Sequence, residues 1–229
     1  MKTQRVSLIL AVWLVAQPLA LAADVSFCPM AGAGRYRVSI ESLRERRWKH
    51  VVRQGMDISC GSAALATILH YQFGQQISER EIIQSILHNV KQEEVRKRGG
   101  FSLLDLKRVA DDLGYTVQGY KTSMDQLRKY GHPAIVPITV RNTKHFVVFR
   151  GVVGDRVILA DPAFGNIVLE ESHFAKVWQG ITLVVDKKNK RVPSKLGVSP
   201  DDLAVAESPE ALNSFLSRDI HMAVDPNEF

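Results

Sequence analysis

The period of the hydrophobic pattern changes once along this chain, close to Gly131, and the change limits what the chain can fold into. Before it, apolar residues recur at helical spacing between serine-led starts and glycine stops. Cys60 opens a helix with Ala64, Leu65, Ile68 and Leu69 on one face and Gly74 as its stop. Ser78-Glu79-Arg80-Glu81 is a capping box that starts a second helix running to about Val90. Gly99-Gly100 breaks the chain, Ser102-Leu103-Leu104-Asp105 starts a third helix that ends at Gly114, and a shorter one follows Thr122 and stops at Gly131. After that come β-branched and aromatic runs: AIVPITV (134–140), HFVVFR (145–150), RVILA (156–160) and ITLVV (181–185). Helices first and strands second predict an α+β fold, with a helical half packed on an antiparallel sheet.

Around that domain the sequence predicts appendages. Lys2 and Arg5 precede an apolar run, Val6 to Ala16, and Ala20-Leu21-Ala22 offers the small residues of a cleavage site, so residues 1–22 read as a secretory signal. The run is too short and too soon interrupted, at Gln17-Pro18, to serve as a spanning anchor. The expectation is an exported chain with no integral membrane segment once the signal is removed. Residues 23–50 form an N-terminal extension with a short helix or strand between Val38 and Val52. Residues 187–229 form a linker and a tail, with one amphipathic helix carrying Ala211, Leu212, Phe215 and Leu216. Of the net charge of +6, Lys2 and Arg5 belong to the signal, and the remaining basic residues thicken only locally, at 44–53 and 186–191, short of the dense, aromatic-interleaved patch of a nucleic-acid reader. They read as solvated faces, and no nucleic-acid partner is expected.

The chemistry rests on Cys60. In an oxidising compartment its default partner is the only other cysteine, Cys28. The Gly/Ala/Pro-rich setting of Cys28, FCPMAGAG, argues against a structural staple, and a reversible Cys28–Cys60 disulfide is the alternative to a free thiol. A cysteine at a helix N-terminus sits where the helix dipole favours a thiolate. Gly61 would let a substrate carbonyl approach the backbone, and Gln54, six residues upstream, would aim its amide at the same point as an oxyanion donor. Of the seven histidines, His145 opens a strand, and the following strand ends in Asp161-Pro162. A hairpin centred at residues 153–154 sets His145 across from residues 161–163, so Asp161 lies beside the imidazole as its orienter. Each residue alone has a bland reading as core filler, surface histidine or turn. The order Gln-x₅-Cys-Gly, His-Phe, Asp-Pro favours nucleophilic catalysis. No cysteine or histidine pair has metal-ligand spacing, and neither metal nor other cofactor is expected.

At these residues the sequence resembles the C39 peptidases, papain-fold cysteine proteases. The resemblance runs from about Val51 to Val185, through QGMDISCGSAAL, GGFSLLDLKRVADDLGY, HFVVFRGVVGDRVILADPAFG and FAKVWQGITLVV. It implies a peptidase domain over residues 51–186, with Cys60 as nucleophile, His145 as base, Asp161 as its orienter and Gln54 in the oxyanion hole. The chain departs from the family in carrying Ser59, where an aspartate often precedes the cysteine. A stand-alone form with a signal peptide resembles the peptidase components of functional-amyloid secretion systems of Gram-negative bacteria. That likeness implies a periplasmic location, a role in biofilm assembly, and protein substrates among amyloid subunits or their outer-membrane secretion components. Two other functions fit the same residues. One is a Cys-His-Asp acyltransferase, which differs only in its acceptor, and the other is a silent papain-fold binding or chaperone module.

Overall fold

Serine-led capping boxes set the helix starts. In the computed structural model, which describes residues 41–140, 143–187 and 194–205, α1 (Leu43–Trp48), α3 (Glu79–Asn89), α5 (Leu103–Asp112) and α6 (Met124–Tyr130) each begin at a serine. In each, the side chain accepts the N3 amide while the N3 side chain returns to the cap. Each such cap contributes on the order of 1 kcal/mol. The segment before Val52 is thus a helix. Between α1 and α3 lies α2 (Cys60–Phe73), buried along nearly its whole length and stopped by Gly74 in the left-handed conformation.

Several elements escaped the sequence pattern. α4 (Gln92–Arg98) buries only Val95, so it has no apolar stripe; glutamates in its first turn and basic residues in its last favour it through the dipole. β1 (Thr116–Lys121) is an edge strand with Val117 as its one buried residue. β5 (Gly165–Glu170) follows directly on the turn that ends its neighbour.

The remaining strands, β2 (Ala134–Val140), β3 (Thr143–Val153), β4 (Arg156–Asp161) and β6 (Ile181–Asp186), stand where the apolar runs predicted them. The six form one sheet in the order β1-β6-β2-β3-β4-β5, with every pairing antiparallel. One face, with Ile135, Val148, Ala160 and Leu183, packs against α2 and α5, and α3 joins the same core from behind those two helices. The other, with Val136, Val147, Phe149 and Leu159, is covered by Leu127 of α6 and by Phe174 and Trp178 at α7 (Glu171–Val177). Cover on both faces explains why the strands are continuous apolar runs instead of alternating ones. The α+β architecture expected from the sequence is the one observed.

β3 carries a bulge. β3 and β4 join through Gly154-Asp155, with Val153 paired to Arg156 and Gly154 at φ 63°, a glycine-first two-residue turn. The register then shifts between Phe149 and Gly151, leaving Arg150 as the extra residue. Its buried guanidinium donates to the Leu196 and Gly197 carbonyls, to Asn166 and to Asp202, so the segment 194–205 is tied to the sheet at the bulge. No helix among the described residues is long and apolar enough to cross a membrane. The signal segment, Cys28 and the amphipathic stretch at 211–216 lie outside the described residues.

Candidate active site

The bulge decides which way two side chains point. Beyond it, Val148 pairs with Ala160. Continuing that register places Asp161 across from Val147, so His145, two residues along β3, shares its face on the diagonal. Without the extra residue the parity would be reversed, and His145 and Asp161 would project from opposite faces. The centre expected from the sequence, at 153–154, falls short of the turn's true centre between Gly154 and Asp155, and the bulge restores the expected neighbourhood.

His145 Nε2 lies 2.9 Å from both carboxylate oxygens of Asp161, and both side chains are buried. Asp161 Oδ1 also accepts the amides of Ala163 at 2.7 Å and Phe164 at 3.1 Å, which locks the Asp-Pro turn and fixes the carboxylate. The other ring nitrogen, Nδ1, is buried without a well-formed hydrogen bond. The Cys60 thiol is near enough to the ring to bear on its pKa, in the same direction as Asp161. Burial alone would push the imidazole pKa down, but the Asp161 charge and hydrogen bond, with Cys60 in support, hold it well above the usual 6.5. Other histidines keep different company: His50 and His70 pack on Tyr71, and His132 on Tyr130.

Cys60 is a free, buried thiol at the first residue of α2. Its neighbour Gly61 has a role the sequence does not reveal. A Cβ there would come within 3.1 Å of Phe146 and 3.2 Å of Leu106, so glycine lets the first turn of α2 sit against β3 beside His145. Gly61 is buried in that contact.

Gln54 is pinned from two sides. Its amide N–H donates to the carbonyl of Pro162, the residue after Asp161, at 2.9 Å. Its Nε2 donates to Met56 O at 3.2 Å, leaving a second Nε2 hydrogen in hand, while Oε1 is buried without a partner. The loop from Gln54 to Cys60 and the turn after β4 are thereby stitched together.

Beside Cys60 runs a groove of about 560 Å³, walled by Ile58, Phe101, Leu104, Phe146 and Ile181, with Lys144 at its edge. Leu104 is 52% exposed and Ile181 38%, large apolar side chains held in solvent. In the sequence they look like ordinary members of a helix and a strand; only the tertiary structure shows that they line one groove. Glu79 likewise looks in the sequence like part of a capping box, yet Glu81 fills that role and Glu79 reaches the cysteine loop.

The arrangement has counterparts in known proteins. The model of the peptidase C39 family matches residues 48–190. A Pseudomonas aeruginosa protein described as a probable functional amyloid protease, FapD, is 40% identical over 185 residues, 81% of this chain and 80% of its own length. A protein of the same description from Pseudomonas fluorescens is 38% identical over 164 residues, 72% of each chain. Among solved structures, a double glycine motif protease from an AMS/PCAT transporter, in complex with its leader peptide, is 27% identical. It has a TM-score of 0.52 and covers 60% of this chain and 91% of that one. The peptidase domain of Streptococcus ComA, a bifunctional ABC transporter, shares the fold at 22% identity, with the same TM-score, over 60% of this chain and 98% of its own. With the family model spanning the helical half, the sheet and every residue of the buried Cys-His-Asp cluster, the chain belongs to the peptidase C39 family and is a cysteine peptidase.

Proposed function

We propose that the chain is an exported endopeptidase that acts in the periplasm and cleaves a peptide bond in a protein of a functional-amyloid secretion system, serving biofilm assembly. The observation that carries the chemistry is the His145 imidazole. It is held at 2.9 Å by both oxygens of a buried carboxylate on one side and acted on by the Cys60 thiol on the other. The amyloid context rests on the likeness to the two Pseudomonas proteins described as probable functional amyloid proteases.

In this reading the Cys60 thiolate attacks the carbonyl carbon of the scissile bond, and the carbonyl π electrons move onto oxygen. The Cys60 amide and the uncommitted Nε2 hydrogen of Gln54 receive the oxyanion. His145, protonated at Nδ1, gives that proton to the leaving amine as the C–N bond breaks, leaving a thioester. Water then adds to the thioester while Nδ1 takes its proton. Collapse breaks the C–S bond, releases the acid and restores the thiolate–imidazolium pair. Asp161 remains ionised throughout, holding the ring's orientation and its charge. The groove beside Cys60 offers apolar walls for the substrate residues that flank the cleaved bond.

The test incubates the chain lacking residues 1–22 with amyloid subunits and outer-membrane secretion proteins of such a system in H₂¹⁸O. Mass spectrometry should find a new C-terminus carrying one ¹⁸O atom, and none with Cys60→Ala. Cleavage that survives Cys60→Ala, or an acyl group transferred to an amine in place of water, contradicts the reading.

A further inference from the structure

We propose that Glu79 is a positioning residue: through its carboxyl group, α3 holds the loop from Gln54 to Ser59 in the shape that aims the oxyanion donors at Cys60. The inference rests on Cys60 acting as nucleophile and Gln54 as oxyanion donor. Its basis is a set of hydrogen bonds that a helix cap does not need. Glu79 Oε2 accepts the Gly55 amide at 2.9 Å, Oε1 accepts it at 3.2 Å, and Oε1 also meets the Ser59 hydroxyl. A Cβ at Gly55 would lie 3.2 Å from Glu79 Oε2, so glycine is the residue that lets this amide come in close. Ser78 and Glu81 close the capping box of α3 without help from Glu79.

Ser59 passes the anchor on to the rest of the loop. It is fully buried and is the N-cap residue of α2, yet its hydroxyl makes no capping bond. Instead it turns back, accepting the Met56 amide at 3.3 Å and reaching the Met56 carbonyl at 2.7 Å. That carbonyl is also the acceptor for Gln54 Nε2. Glu79, Ser59, Met56 and Gln54 therefore form one chain of hydrogen bonds ending on the side chain that serves as oxyanion donor. The free hydrogen of Gln54 can point only as accurately as Met56 O is placed.

The Ser59 hydroxyl has one hydrogen for two acceptors, Met56 O and Glu79. A proton on Glu79 resolves the conflict: Glu79 then donates to Ser59 Oγ, and Ser59 donates to Met56. Burial outweighs the hydrogen bonds from Ser59 and Gly55 and raises the Glu79 pKa, which favours that protonated arrangement. A glutamine reproduces it, with its carbonyl on the Gly55 amide and its NH₂ on Ser59.

The experiment compares two reactions of the same thiol. In p-nitrophenyl acetate the acetyl carbon bonds to Cys60 Sγ, p-nitrophenolate leaves, and the intermediate is an oxyanion. Iodoacetamide alkylation forms a C–S bond with loss of iodide and has no oxyanion. With Cys28→Ser as background, Glu79→Ala should lower the acylation rate more than tenfold and leave alkylation within about threefold, while Glu79→Gln should restore acylation to within about threefold of the parent. If Glu79→Ala does not fold, Ser59→Ala removes the bridging hydroxyl without touching α3 and should show the same selective loss. An unchanged ratio of the two rates, equal loss of both, or failure of the glutamine to rescue overturns the proposal. A parent thiol that acylates no faster than free cysteine overturns the nucleophile assignment instead. The Gly55 amide then tests Glu79 alone: its hydrogen exchange should be slow in the parent and fast in Glu79→Ala, and equal exchange overturns the anchor.

Discussion

Asp161→Asn should lower kcat/KM by about 10³–10⁴-fold, the scale seen when a triad carboxylate is replaced by its amide. The substitution keeps the shape and an acceptor for the Ala163 and Phe164 amides, but removes the charge that opposes burial of the imidazolium. In the parent, burial lowers the His145 pKa, but Asp161 and Cys60 more than reverse this. The imidazole therefore keeps its proton well above pH 6.5, and the alkaline limb of the rate profile lies above that value. In Asp161→Asn burial acts with less opposition, and that limb should move down. Stability should follow the same sign. A raised folded-state pKa stabilises the parent fully below the unfolded value of about 6.5, and that contribution fades as pH rises through the folded pKa. Thermal unfolding as a function of pH should show the parent gaining on Asp161→Asn as pH falls. Parallel curves would mean that the carboxylate does not hold the proton on His145.

Gln54→Ala is the second large effect. Removal of one oxyanion donor costs about 10²–10³ in rate, and the loss should fall on kcat, because the donor meets an oxygen that carries charge only during the reaction. Alkylation of Cys60 by iodoacetamide should be unaffected. Gln54 also carries the backbone bond to Pro162, which alanine keeps, so the turn holding Asp161 should survive. A rise in KM with unchanged kcat would instead make Gln54 a substrate contact.

The starts of α3 and α5 and the four central strands are legible in the sequence because their signals are local: Ser-x-x-Glu and Ser-x-x-Asp caps, glycine stops, and runs of Val, Ile and Phe. The proximity of His145 and Asp161 is also legible, since turn position and strand lengths nearly determine it, although the bulge at Arg150 that sets their parity leaves no mark in a single sequence. β1 and α4 are not, because each buries one apolar residue, which is too little to produce a period. The packing role of Gly61 is hidden in the sequence because its contacts, Phe146 and Leu106, lie in residues distant along the chain. Glu79 stays hidden for the same cause: its partners Gly55 and Ser59 come from a loop some twenty residues earlier.

The central claim is that His145 activates Cys60. Its most direct test is the rate of iodoacetamide alkylation at pH 6, where a free thiol, with a pKa of about 8.5, is almost wholly protonated. In the Cys28→Ser background the parent should alkylate at least tenfold faster than His145→Ala. Equal rates in the two proteins would contradict the account, leaving a buried cysteine that merely lies close to a histidine–aspartate pair.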